Sequence, residues 1–332
     1  MLADEITAEL RDRRAQGLAA AKSSGAAIIV ELSAKGIANG SITARPDGYV
    51  GASKVEGVDA DLRVRPFFAH SGTVSIREFI SGAINNEMGF QAVDMELTNA
   101  VANRSNTAVV EYLEFYLLNY FKPGLYEQTS AVQRGRQSFE QAGCASCHIP
   151  DLQIERDRRV ADVETVYDAV RGHFNHLFAT ATPLFNTVDG RKAPKLEPFL
   201  VKDIYTDFKR HDLGPNFHKR NYDGTMQKQF LTAALWGVGS TAPYGHDGRT
   251  TNLHEVILWH GGEAQAARDH YAALGENARN DIQEFLRSLV LFPPDDTASN
   301  LDPGDRTAEG FPQKAHGSIK LGVLFNNPAD PE

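Results

Sequence analysis

Cysteine is scarce in this chain: there are two in 332 residues, Cys144 and Cys147. Half of a cysteine zinc site would need two more ligands, and no second Cys pair supplies them. No apolar run is long enough to span a bilayer. The N-terminus, Met1-Leu2-Ala3-Asp4-Glu5, is acidic and has no apolar h-region, so it does not read as a secretory signal. Positive charge is in deficit, with 34 Lys and Arg against 43 Asp and Glu. The resulting net charge of −9 disfavours nucleic acid as a partner. Basic patches on small redox proteins would find such a surface attractive. Hydrophobic content of 42% and charged content of 23% are ordinary for a globular protein. The length allows one large domain or two ordinary ones.

Both cysteines fall in one stretch, Gly143-Cys144-Ala145-Ser146-Cys147-His148. It reads C-x-x-C-H, the attachment signature of a c-type haem. Two thiols one turn apart can add to the two haem vinyl groups, and His148 is then carried under the iron as proximal ligand. A thioredoxin-like redox pair would need a βαβ pattern around it, which is not there, and would leave His148 without a role. One conflict follows: c-type haem is attached outside the cytoplasm, yet no leader precedes the motif.

Along the chain, residues 1–25 read as an exposed, charged helix ending in Ser23-Ser24-Gly25. Two β-like runs, 27–32 and 40–44, and a turn at Pro46-Asp47-Gly48 suggest a small sheet. Ser75 with Glu78 makes a capping box for a helix over 76–84. An apolar helix over 109–118 ends at Lys122-Pro123-Gly124, where a domain boundary is expected. A helix over 130–139 feeds into the haem motif. Residues 149–204 read as mostly loop with one helix, 163–178; residues 206–215 read as a polar loop and 230–235 as a short helix or turn. Asn252, with Glu255, caps a helix that runs to His260 and stops at Gly261-Gly262. A last amphipathic helix spans 278–291, and the tail from Asp295 is expected to wrap the surface.

Two stretches echo one another. Pro66, His70-Ser71-Gly72 and the helix after Ser75 correspond to Pro243, His246-Asp247-Gly248 and the helix after Asn252. Each is a proline, a His-x-Gly loop and a capped amphipathic helix, a pattern that suggests two related domains. Two unrelated capping boxes are the plain alternative, since such boxes are common. The second copy has a haem motif upstream and the first has none. That gap and the missing leader are both explained if the chain lacks the N-terminal part of a longer exported protein.

On Gly143 to His148, Arg210-His211-Asp212-Leu213-Gly214, Ala242 to Arg249 and Ile257 to Ala264, the chain resembles the bacterial di-haem cytochrome c peroxidase superfamily. This superfamily also holds the methylamine-utilisation di-haem oxidase. The resemblance covers nearly the whole chain and is nearest to the di-haem oxidoreductase branch, sometimes called thiol oxidoreductase. It implies a mainly α fold of cytochrome c-like domains, with the small β element near the N-terminus as an addition. Residues 1–123 would be the remnant of a peroxidatic domain without its haem motif, 124–294 the domain with one c-type haem, and 295–332 a surface tail.

By the same resemblance, His148 is the proximal ligand of the C-terminal haem. His260 stands where the peroxidases have a Met as sixth ligand, which implies bis-His ligation and a lower potential. The plain alternative for His260 is a helix C-cap. His246 and His211 are further ligand positions, or hydrogen-bond a haem propionate. Glu87, paired with Met88, matches the carboxylate that works as general acid and base on peroxide; its alternative is a solvated loop carboxylate. His70 stands where the family has a Trp. Thr241-Ala242-Pro243 matches a segment whose backbone oxygens, at Thr241 and Pro243, bind calcium. The implied function is electron transfer through a covalent haem supporting peroxidase or oxidoreductase activity. One haem c belongs to this chain and a second to the full family pattern. The implied partners are an electron-donor protein such as a small cytochrome or cupredoxin and a small-molecule oxidant, at a periplasmic or otherwise exported location. The alternative is a mono-haem electron carrier without catalysis.

Overall fold

A computed structural model describes residues 1–90, 92, 109–110, 113–114, 117, 122–155, 161–164, 177–181 and 197–292. Helix α1, Leu2–Ser24, ends at Gly25, which takes φ 69° and donates its N–H to the Ala21 carbonyl. That left-handed cap is glycine's conformation. The helix was expected to be exposed, but it buries Leu2, Ala3, Ile6, Leu10 and Ala21. Leu2, Ile6 and Leu10 recur at helical spacing and form one apolar stripe. Ile6 and Leu10 of the stripe pack in a core with Leu32, Ile42 and Val50 of a three-stranded antiparallel sheet of β1 (Ile28–Ala34), β2 (Ile37–Ala44) and β3 (Val50–Val55). Val58, Leu62 and Val64 close that core. The first two strands and the Pro46-Asp47-Gly48 turn are as the sequence indicates. The third strand is diluted by Gly51 and Lys54, residues that depress β-propensity.

The chain divides into two compact units, each made of separate stretches. The first comprises Met1–Glu114, Cys147–Asp212 and His218–Ala234; the second comprises Phe115–Ser146, Leu213–Phe217 and Leu235–Glu332. In the first, α2 (Ile76–Glu87) packs Ile80 and Ile84 against Ala92 and Val110. In the second, β4 (Lys122–Leu125) leads into α3 (Ser130–Gln141), followed later by α4 (Leu253–Trp259), α5 (Gln265–Ala273) and α6 (Glu276–Arg287). Helices α3 and α6 cross closely: a Cβ on Gly135 would lie 1.9 Å from the Asp281 carbonyl oxygen. The Phe139 and Phe285 rings stand 5.4 Å apart beside that contact, and Arg134 Nε reaches Asp281 Oδ2 at 2.8 Å.

The mainly α expectation is overturned. Among the described residues there are thirteen strands in six sheets, one of three strands and five of two. A helix was expected over 163–178, but β6 (Ala161–Glu164) and β7 (Leu177–Ala181) pair antiparallel there. The expected loops hold β5 (Leu152–Ile154) paired with β8 (Phe199–Val201), and β9 (Arg210–Asp212), whose partner β12 (Gln229–Leu231) enters the stretch expected as a short helix or turn. Between them lies the small ribbon of β10 (Lys219–Arg220) and β11 (Met226–Gln227). The last helix stops at Arg287, and Leu289–Phe292 is strand β13 on β4. The reason is physical: two- and three-residue strands carry no readable period, and a short apolar run does not separate strand from helix. In the stretch 109–118, the described residues Val109, Val110, Leu113, Glu114 and Leu117 are helical. The tail from Asp295 lies outside the described residues.

The internal echo has a structural counterpart. An isolated antiparallel bridge joins Phe67 to Thr73 in one copy and Tyr244 to Thr250 in the other. Ser75 Oγ then accepts from Glu78 N at 3.1 Å, and Asn252 Oδ1 from His254 N at 2.9 Å. From proline to bridge to cap the copies keep step, although the His is displaced by one position.

Candidate functional site

Helix α3 ends just before the C-x-x-C-H motif. Gly143, at φ 91°, turns the chain out of it, and a single 3-10 turn, Cys144–Ser146, follows. Ser146 Oγ donates to the Gly143 carbonyl at 2.8 Å and braces the turn. The two cysteines are not disulfide-bonded, and Cys144, Cys147 and His148 are all half-buried. The boundary between the units falls inside the motif, after Ser146.

His148 is oriented from its far side. Its Nδ1 lies 3.0 Å from the Tyr205 carbonyl oxygen. A carbonyl can only accept, so the proton sits on Nδ1 and the lone pair on Nε2, the arrangement of a metal-ligating imidazole. The carbonyl is itself fixed: Ile204 N donates to Pro150 O at 2.8 Å and Thr206 N to Ile149 O at 3.0 Å. Tyr205 is fully buried and takes φ 52°, an uncommon conformation for a bulky residue.

His211, on β9, is buried with Asp207. Its Nε2 lies 2.8 Å from Asp207 Oδ2, and the other carboxylate oxygen accepts from Lys209 N at 2.9 Å. Cys147 joins this pair, and ligand atoms of the three lie within 4.8 Å of one another. Among the sequence-indicated residues, this brings Cys147 and His211 together.

The second unit gathers His246 and His260 around Phe217. His246 Nε2 is 2.8 Å from the Phe217 carbonyl oxygen, and the His260 ring meets the Phe217 ring edge-on at 5.1 Å. Gly261 N donates to Leu213 O at 2.9 Å, tying that segment to the end of α4. His260 caps α4 with Nδ1 2.8 Å from Val256 O. Burial pushes its pKa below the usual imidazole value, against the backbone hydrogen bonds at Val256 and Ile257. The ring is therefore neutral at pH 7 and gives the helix C-terminus no cation. Thr241 Oγ1 donates to Gly237 O at 2.8 Å. Glu87 is the exposed last residue of α2. His70 is exposed too, stacked on Phe68 at 5.8 Å.

Three contributors were missed in the sequence: Tyr205, Asp207 and Phe217. Tyr205 and Phe217 act through main-chain oxygens, which any residue type supplies, so no letter in the sequence marks them. Asp207 had a signal, a carboxylate four residues before His211 in a run already noted as polar.

Residues 154–289 match the family described as "Di-haem oxidoreductase, putative peroxidase". The match supports the resemblance to the di-haem peroxidase-like family over that stretch. The match begins after the C-x-x-C-H motif and takes in His211, Thr241, Pro243, His246 and His260. No curated protein and no solved structure matches the chain.

Proposed function

We propose that this chain is a c-type haem redox protein of the di-haem peroxidase superfamily, with Cys144 and Cys147 holding the haem covalently and His148 as its proximal ligand. The observation that carries the reading is the 3.0 Å hydrogen bond from His148 Nδ1 to the Tyr205 carbonyl. It follows directly on two cysteines at thioether spacing, and the donor set fits haem. Bound there, haem would supply one-electron redox chemistry. Tyr205 would hold the ring orientation of His148 and raise its basicity as a ligand. His260 is the sixth ligand by resemblance, and burial keeps it in the neutral form that ligates. His246 and His211, each engaged through Nε2, belong to the haem surroundings. Glu87 would take and return a proton on peroxide at the family's other haem. Main-chain oxygens at Thr241 and Pro243 would hold calcium. The division at 123/124, the exported location and an electron donor with a basic surface belong to the same reading.

Production through a haem-maturation pathway tests it. His148→Ala is expected to keep the covalent group and lose the proximal-imidazole spectrum. An unchanged spectrum would remove His148 from the iron. A second reading, the mono-haem carrier without catalysis, draws on there being one cysteine pair in the chain. A low-spin spectrum indifferent to peroxide favours the carrier; a high-spin fraction that shifts on peroxide favours the enzyme.

A further inference from the structure

Asp207 and His211 gather with the sulfur of Cys147 in the first unit, their ligand atoms within 4.8 Å of one another. The two partners are 3% and 6% exposed. Their geometry is built in. Asp207 has one oxygen on His211 at 2.8 Å and the other on Lys209 N at 2.9 Å. His211 is fixed by β9, where it stands opposite Phe230.

We infer that Cys147, Asp207 and His211 bind a divalent metal ion of the zinc type in the haem-free chain. Thiolate, imidazole and carboxylate are donors that zinc accepts, and three protein ligands leave the fourth position to water. Charge argues the same way: one thiolate and one carboxylate neutralise a dication, so the filled site buries no net charge. Calcium is a poor fit, since it takes oxygen ligands and only Asp207 supplies them. Ligand atoms around tetrahedral zinc stand roughly 3.3–3.8 Å apart. The cluster, now within 4.8 Å, has to close by about an ångström at its widest, while the His211–Asp207 pair at 2.8 Å opens. The ion takes the place of the proton between His211 Nε2 and Asp207 Oδ2; the ring proton moves to Nδ1, and Cys147 releases its thiol proton to solvent. The inference does not depend on haem. Ion and thioether are alternatives at one sulfur, so a metal-loaded chain withholds Cys147 from the vinyl group.

The test uses the full chain made without haem attachment, with Co2+ as probe and Zn2+ as competitor. A thiolate-to-cobalt charge-transfer band is expected, and zinc should abolish it. Cys144→Ser should keep the band and Cys147→Ser should lose it. His211→Ala should weaken binding by about tenfold or more, since even outer-shell partners of a metal are worth that much. Absence of the band overturns the inference. So does its loss in Cys144→Ser, or unchanged affinity in His211→Ala, either of which would put the ion on the C-x-x-C-H motif itself. Because a buried variant can fail to fold, the unmutated chain supplies a second measurement. Zinc should slow alkylation of Cys147 by about tenfold or more and leave Cys144 alone. Equal protection of both cysteines, or of neither, overturns the site. Haem attachment is judged separately on the exported chain, so either result can fail without the other.

Discussion

Tyr205 gives the site a main-chain oxygen, and that oxygen decides which nitrogen of His148 carries a lone pair. Buried polar partners recur elsewhere. Arg77 Nη1 meets Glu114 Oε2 at 3.0 Å, with both side chains out of solvent. Glu114→Gln removes the charge that faces buried Arg77 and should cost about 3–5 kcal/mol in urea unfolding; a cost under about 1 kcal/mol would mean the pair is solvated. Tyr271 is fully buried, with its hydroxyl 2.8 Å from His254 Nδ1. Burial pushes its pKa from 10.0 up to about 12. The fold thus favours the neutral phenol. This contribution is complete below pH 10 and is lost as pH rises from there toward about 12. An ultraviolet titration should show a late phenolate phase that shrinks in Tyr271→Phe; an unchanged late phase in that variant would contradict this. Cys144, Cys147 and His148 were legible because their chemistry lies in contiguous letters. Tyr205 and Asp207 were not, because they become partners only when distant segments meet.

Helix caps follow local rules, and there the sequence served well. Ser75 and Asn252 both act as N-caps at the positions their spacing suggests. Ser75→Ala should lower stability by about 1 kcal/mol, read from the denaturation midpoint; no change would mean the cap is idle. The α3–α6 crossing depends on a missing side chain. Gly135→Ala puts a Cβ against the Asp281 backbone, which cannot rotate away, so the helices must part. A loss of about 1–3 kcal/mol is expected, and a stabilised variant would show that the crossing is looser than described. The short strands are another matter. β5 with β8 and β9 with β12 exist through pairing across long chain separations, and three residues hold too little pattern to announce a strand. The mainly α expectation leaned on family likeness, and these sheets are where it gave way.

Across the chain, two units each carry one copy of the proline–bridge–cap motif, Phe67 with Thr73 in the first and Tyr244 with Thr250 in the second. The family match begins at residue 154, past the haem motif, so the motif and the match are independent supports for a redox protein. The repeat was legible as letters. The composition of the units was not, because each is assembled from stretches that leave and return. Haem at Cys144, Cys147 and His148 is the central proposal. The direct measurement is the mass spectrum of the exported, haem-matured chain, taken intact and after digestion. One covalent haem per chain is expected, carried on the peptide with Cys144 and Cys147, and none in the Cys144→Ala, Cys147→Ala double variant. A colourless chain of unmodified mass, with both thiols open to alkylation, would contradict it.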